Sequence, residues 1–206
     1  MMRISKLLCK SFALLSLLFI ACSNTDDIQQ KVTEIDASQL KVRDPFIFYD
    51  ADTDYYYLHV NGTLKVKSYK SKDLLTWQEN GYSFLPSAGF WGKEDFWAPD
   101  FYKYKDKYYL FITLSAPGVK RGTSVLVSDR VTGTFQPLVN APVTPQEWTC
   151  LDGSLYVDSE GIPWIFYCRE WVEVGDGEIY VQQLKDDLTT TVSYTHLRAH
   201  ETLANL

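Results

Sequence analysis

One pattern recurs three times in this chain, about every 55 residues, and it limits the fold more than any other feature. Each copy has a carboxylate at a turn, an apolar-aromatic run, a tight polar turn and a second aromatic run. The copies occupy residues 43–58, 98–111 and 151–167. Their leading carboxylates, Asp44, Asp100 and Asp152, stand 56 and 52 residues apart. A second mark holds the same period: Asp73, Asp129 and Asp186, each in a polar turn, are separated by 56 and 57 residues. Polar turns between aromatic and β-branched runs predict hairpins, and no long amphipathic helix interrupts the units.

A unit of that size with several short strands matches one blade of a β-propeller. Blades pack face to face about an axis, so equivalent positions fall on a ring around it. Asp44, Asp100 and Asp152, each heading the first strand of its unit, are therefore expected to converge at one channel mouth. The competing architecture is a β-sandwich with regular hairpins. Closure of a propeller takes at least four blades. Residues 40–191 hold text for about three, so the expectation is an all-β, partial propeller with exposed faces and edges. Residues 192–206 continue no blade pattern and resemble adapter read-through; they are assigned no function.

The N-terminus reads as a targeting segment. Arg3, Lys6 and Lys10 precede an apolar run, residues 11–21, that is too short to span a bilayer. The run ends Leu18-Phe19-Ile20-Ala21-Cys22, which resembles a bacterial lipobox with Phe19 where Leu is preferred. That resemblance implies cleavage before Cys22, its acylation, and a protein anchored by lipid in the cell envelope. Residues 23–39 then read as a polar tether, whose acidic start is similar to a surface-export signal. The net charge is −6, and removal of the leader takes away three basic residues. An acidic surface without a basic stripe argues against nucleic acid as a partner. Of the four cysteines, Cys150 and Cys168 remain in the propeller region, either as a disulfide across a hairpin or as two small buried hydrophobes. Their spacing suggests no metal site.

Carboxylates gathered at a channel mouth suit glycoside hydrolysis. One acid protonates the leaving oxygen and one base activates water. A third carboxylate raises the acid's pKa by like-charge repulsion. Asp before Pro or Gly also commonly makes a turn hydrogen bond, so spacing alone leaves both readings open.

Three motifs carry a resemblance: Arg43-Asp44-Pro45-Phe46, Phe96-Trp97-Ala98-Pro99-Asp100 and Cys150-Leu151-Asp152-Gly153-Ser154. In this order they resemble the first three blades of glycoside hydrolase family 43, five-bladed inverting β-xylosidases, α-L-arabinofuranosidases and related hemicellulases. Glu170-Trp171 and Gly175-Asp176-Gly177-Glu178 look like one branch of it. The resemblance implies Asp44 as general base and Asp152 as the carboxylate that tunes and orients the acid. It implies Asp100, Trp97 and Trp91 as substrate-binding residues, with Trp97 the first choice for a sugar-stacking platform. No cofactor is expected. Some relatives bind a cation in the central channel, and no residue here points to one. The expected partner is an oligo- or polysaccharide.

The family's general acid is a Glu followed by Gly-Pro or Ala-Pro at the start of the next blade. No such segment follows Asp152, and Glu170, Glu173 and Glu178 lie in third-blade text. The expected result is an incomplete, inactive catalytic unit. Two rival readings are a non-catalytic sugar-binding propeller at the cell surface and a fructan- or invertase-type hydrolase. The latter carries Arg-Asp-Pro in a later blade.

Overall fold

The computed structural model describes residues 33–192. The leader, the lipidation position Cys22 and most of the tail lie outside the described residues. Within them the chain forms three antiparallel sheets. The first contains β1 (Glu34–Asp36), β2 (Phe46–Asp50), β3 (Tyr55–Gly62), β4 (Lys65–Ser71) and β5 (Thr76–Phe84). The second contains β6 (Glu94–Tyr104), β7 (Lys107–Ala116), β8 (Val119–Ser128) and β9 (Gln136–Pro137). The third contains β10 (Cys150–Val157), β11 (Pro163–Arg169) and β12 (Glu178–Gln183), with the one-turn helix α1 (Trp171–Val174) between the last two.

Each sheet is an up-and-down meander, apart from β1, which adds to the outer strand β5. The hairpins between the first and second strand of each meander turn through a left-handed residue: Asp54, Lys105 and Gly161. Glycine meets no steric cost there, and a short polar side chain meets little. The strands that open the meanders, β2, β6 and β10, neighbour one another. This is a β-propeller arc of three blades, with those strands innermost.

The blades are held by apolar side chains between them. Tyr57, Val66 and Phe84 of the first blade meet Phe101, Leu110 and Ile112 of the second. Tyr109, Phe111 and Val125 leave the opposite face of the second blade and meet Leu155, Ile165 and Tyr167 of the third. The second blade is covered on both faces, and that is why β7 reads as a near-continuous apolar run, buried from Tyr108 to Ser115.

The outer turns repeat the same logic. Leu188 is buried against the second blade and Val131 against the first, whereas their equivalent Leu74 is exposed. Residues at this position pack on the preceding blade, and the first blade has none among the described residues. Its free face is covered instead by the N-terminal segment: Ile35, Leu40 and Val42 pack near Leu58, Val60 and Trp77. The alternation Glu34-Ile35-Asp36 forms β1, so part of the stretch read as tether is a strand of the first sheet. On the third blade Tyr156, Phe166 and Ile179 remain exposed, as an open arc requires. The chain turns back beyond β12, and the Val192 amide donates to the Gln183 carbonyl.

Cys150 and Cys168 are free thiols. Cys150 pairs with Arg169 across the β10–β11 ladder and Cys168 pairs with Leu151, so the thiols leave opposite faces of the sheet. That geometry forbids a disulfide without moving the backbone. Burial pushes the Cys150 thiol up to about 12.

His59 sits inside the first interface, stacked on Phe101 at 4.3 Å. Its Nδ1 lies 2.7 Å from Ser83 Oγ, and its Nε2 is buried without a partner. Burial drives its pKa down to about 3. The unfolded chain therefore binds a proton that the folded chain refuses. His59 contributes no penalty above about pH 6.5 and costs up to about 1.4 kcal/mol per unit as pH falls from there toward 3. Replacing it with Phe should flatten that slope: the stability difference between His59→Phe and the parent, from urea unfolding, shifts toward the variant between pH 6.5 and 4.5. A difference independent of pH would reject the assignment.

Candidate active site

Each innermost strand is approached through a residue in the left-handed region: Asp44 (φ 50°), Ala98 (φ 41°) and Asp152 (φ 56°). These three are evenly spaced, 54 residues apart each time. The structural equivalent of the two aspartates in the second blade is thus Ala98. Asp100, aligned with them by its chemistry in the sequence, stands two residues further along, level with Phe46 and Ser154. Pairing registers show the cause. The β6–β7 ladder shifts between Trp97 and Asp100, and the β10–β11 ladder shifts between Leu151 and Ser154. Each innermost strand of these two blades carries a bulge at its head, and bulges re-aim side chains.

The bulge in the third blade is fastened to the second. The Asp152 amide donates to Thr113 Oγ1 (2.9 Å) and the Gly153 amide to Thr123 Oγ1 (3.2 Å). Thr113 and Thr123 are fully buried on adjacent strands, and Thr144 Oγ1 accepts from the Thr123 amide in turn. A Cβ on Gly153 would stand 2.4 Å from Thr123 Oγ1, so only glycine fits this close approach.

Electrostatics show which carboxylates share the site. Burial raises the pKa of Asp152, and the charges of Asp44, Asp100 and Glu170 raise it further, against Arg43. Asp44 from the first blade and Asp152 from the third, distant in sequence, therefore act on each other across the axis. Asp44 is exposed, with Arg43 Nε 3.3 Å from its Oδ2. Asp100 is deeper and is also raised by burial, while Ser154 Oγ (2.6 Å) and Tyr102 OH (3.1 Å) donate to it and oppose that rise. The Ser154 bond crosses from the third blade to the second, while Tyr102 shares the Asp100 strand and packs its ring on Phe46 of the first blade.

The aromatic candidates separate. Trp97 is partly exposed at the mouth, and the Arg121 guanidinium covers one face of its ring at 4.5 Å. Trp91 is tied into the second blade. Its Nε1 donates to Ser124 Oγ (2.7 Å), its amide donates to Asn140 Oδ1 (2.9 Å), and its ring packs on the first core.

Arg121 is the residue sequence reasoning missed. Besides covering Trp97, it reaches Asp95 Oδ2 (3.0 Å) and Glu170 Oε1, linking the second blade to the third. Glu170 is buried and opens α1. Asp95 and Trp97 share strand β6, whereas Arg121 and Glu170 come from two other stretches of chain, so no spacing signals the cluster. The Glu170-Trp171 pair was the one trace of it. Among the described residues, no group of three His, Cys, Asp or Glu side chains is placed to hold a metal ion.

A family model of glycosyl hydrolases family 43 matches residues 37–205. The chain belongs to this family. Within family 43 it is 59% identical to an endo-arabinase from Bacteroides thetaiotaomicron, with a TM-score of 0.76 over 77% of this chain and 56% of that one. The endo-1,4-beta-xylanase from the same organism is 25% identical, with a TM-score of 0.65, covering 77% of this chain and 52% of that one. The extracellular exo-alpha-(1->5)-L-arabinofuranosidase of Cellvibrio japonicus is 26% identical over 169 residues, 74% of this chain and 46% of that protein. The chain therefore spans about half the length of the relatives it matches.

The raised carboxyl of Asp152 sets a test. Ionised Asp152 is destabilising because its folded pKa exceeds the ordinary value. The cost exists above that folded pKa and vanishes below the ordinary aspartate range. Asp152→Asn removes it and should raise the unfolding midpoint at pH 7 by about 2 °C, since the side chain opens to solvent and screening limits the effect. The gain should disappear by about pH 3.5 in scanning calorimetry. A loss of stability at pH 7 would contradict the repulsion.

Proposed function

We propose that this chain carries the base-side half of an inverting glycosidase acting on arabinose- or xylose-containing polysaccharide. The observation that carries the proposal is that the charge of Asp44, from the first blade, acts on the carboxyl of Asp152, from the third, in a family 43 chain. Asp44, exposed at the mouth, is the general base that activates water. Asp152, half-enclosed and repelled by its neighbours, orients and tunes the acid. Asp100 lines the pocket beneath them, and the open face of Trp97 stacks on the sugar.

Relatives named as an exo-alpha-(1->5)-L-arabinofuranosidase and an endo-arabinase favour an arabinan substrate over xylan. The general acid lies outside the described residues. Glu170 is close enough to act on Asp152, but its carboxylate is engaged by Arg121 and is not free to protonate a leaving group. With the acid supplied elsewhere in the propeller, the described residues alone bind sugar without turning it over. Export and acylation at Cys22 would set the protein at the cell envelope, among extracellular polysaccharides.

In protein carrying the whole propeller, Asp44→Asn should lower kcat on 4-nitrophenyl α-L-arabinofuranoside about 10²–10⁴-fold with little change in KM. The parent's first product, followed by NMR, should have inverted anomeric configuration. Retained turnover in the variant would remove Asp44 from the base role. Sugar binding without turnover in the parent would favour the non-catalytic propeller.

A further inference from the structure

The helix α1 stands at the mouth end of the third blade. It follows β11, whose last residue Arg169 pairs with Cys150 at the head of β10, two residues before Asp152. The helix has four residues and buries none of them in either core, so packing does not hold it. Charge holds it instead. Glu173 accepts from the Thr149 amide (3.0 Å) and from Arg169 Nε (3.0 Å), and pairs with Lys120 near the start of β8. Glu170, one turn earlier, is fixed by Arg121. Both glutamates point inward, and the two residues between them point out.

Those two are Trp171 and Val172, 67% and 59% exposed. A lone exposed apolar side chain on a soluble protein needs no explanation. A tryptophan held in the open by two clamped neighbours, on a turn that also sends Glu170 into the carboxylate site, is a different arrangement. Its rotamer-rich surroundings are already ordered, so binding against it costs little further entropy. An indole offers a flat apolar face and a polar edge, which suits the alternating C–H and O–H surface of a sugar ring.

We infer that Trp171, with Val172 beside it, is a second sugar platform at the rim, taking a unit of a linear polysaccharide beyond those held at the carboxylates. It rests on the glycosidase reading and extends it: the substrate is a chain several sugars long, and the rim reads its length. Trp97 and Trp171 then mark two points on one path, joined by Arg121, which covers Trp97 and holds the start of α1.

Length-dependent binding tests this. Isothermal titration of the protein with linear α-1,5-arabinobiose and α-1,5-arabinohexaose should show the longer sugar binding more tightly. Trp171→Ala should weaken the hexaose by about tenfold and leave the biose unchanged, closing the gap. Trp171→Phe should recover part of it. Both substitutions are at an exposed site, so thermal unfolding should not move. A gap that survives Trp171→Ala, or a parent that binds both lengths equally, overturns the rim platform while leaving the glycosidase reading intact. A parent that binds neither sugar, nor the corresponding xylo-oligosaccharides, overturns both.

Discussion

Phe101 and Phe111 lie on the same hairpin and bury their rings on opposite sides of one sheet. That double burial fixes the angle between the blades on either side. Close-packed apolar layers tolerate little displacement, since an opened gap forfeits dispersion contacts on both sides. The distance across the axis, from Asp44 to Asp152, is therefore set by side chains that touch neither. No strand ladder runs between the blades, so packing and a few individual polar contacts carry the geometry from one to the next.

Polar contacts refine what packing sets. Thr113 and Thr123 receive the amides of Asp152 and Gly153 from the neighbouring blade, turning a bulge into a docked one. Left-handed backbone at a non-glycine residue is costly and persists where the surroundings over-determine it. Here two hydrogen bonds to buried hydroxyls and a glycine-only contact supply that determination. The same region gathers like charges. Asp44, Asp100 and Glu170 all act on Asp152, with Arg43 opposing them and Arg121 paired to Glu170. Like charges held together in a folded structure cost stability, which is what makes this cluster the candidate site.

The repeat was legible because it is chemical as well as geometric. Alternating aromatic residues and turn carboxylates announce strands and hairpins at a fixed period, and an interval near 55 residues names the blade. The carboxylate alignment was legible only approximately. Matching Asp100 to Asp44 and Asp152 follows side-chain type, whereas the backbone matches Ala98 to them through a shared left-handed conformation. Pairing register is not encoded in residue identity, so the two-residue offset appeared only with the ladders in place. Arg121 was not legible as a site residue, and Glu170 showed only as part of the Glu170-Trp171 motif. Their meeting depends on the start of α1 and the first residues of β8 reaching the same spot. The thiols Cys150 and Cys168 teach the same point, since adjacency across a hairpin does not say which face each side chain takes.

By itself the amino-acid order determined the strands, the hairpins, the propeller period and the acidic character of the mouth, because those depend on neighbours along the chain. Tertiary structure decided which carboxylates meet, how deep Asp100 lies, and that Glu170 is bound to Arg121. It also left Trp171 standing clear. These depend on how sheets lean on one another, and that angle comes from summed contacts between residues tens of positions apart, which no local pattern records.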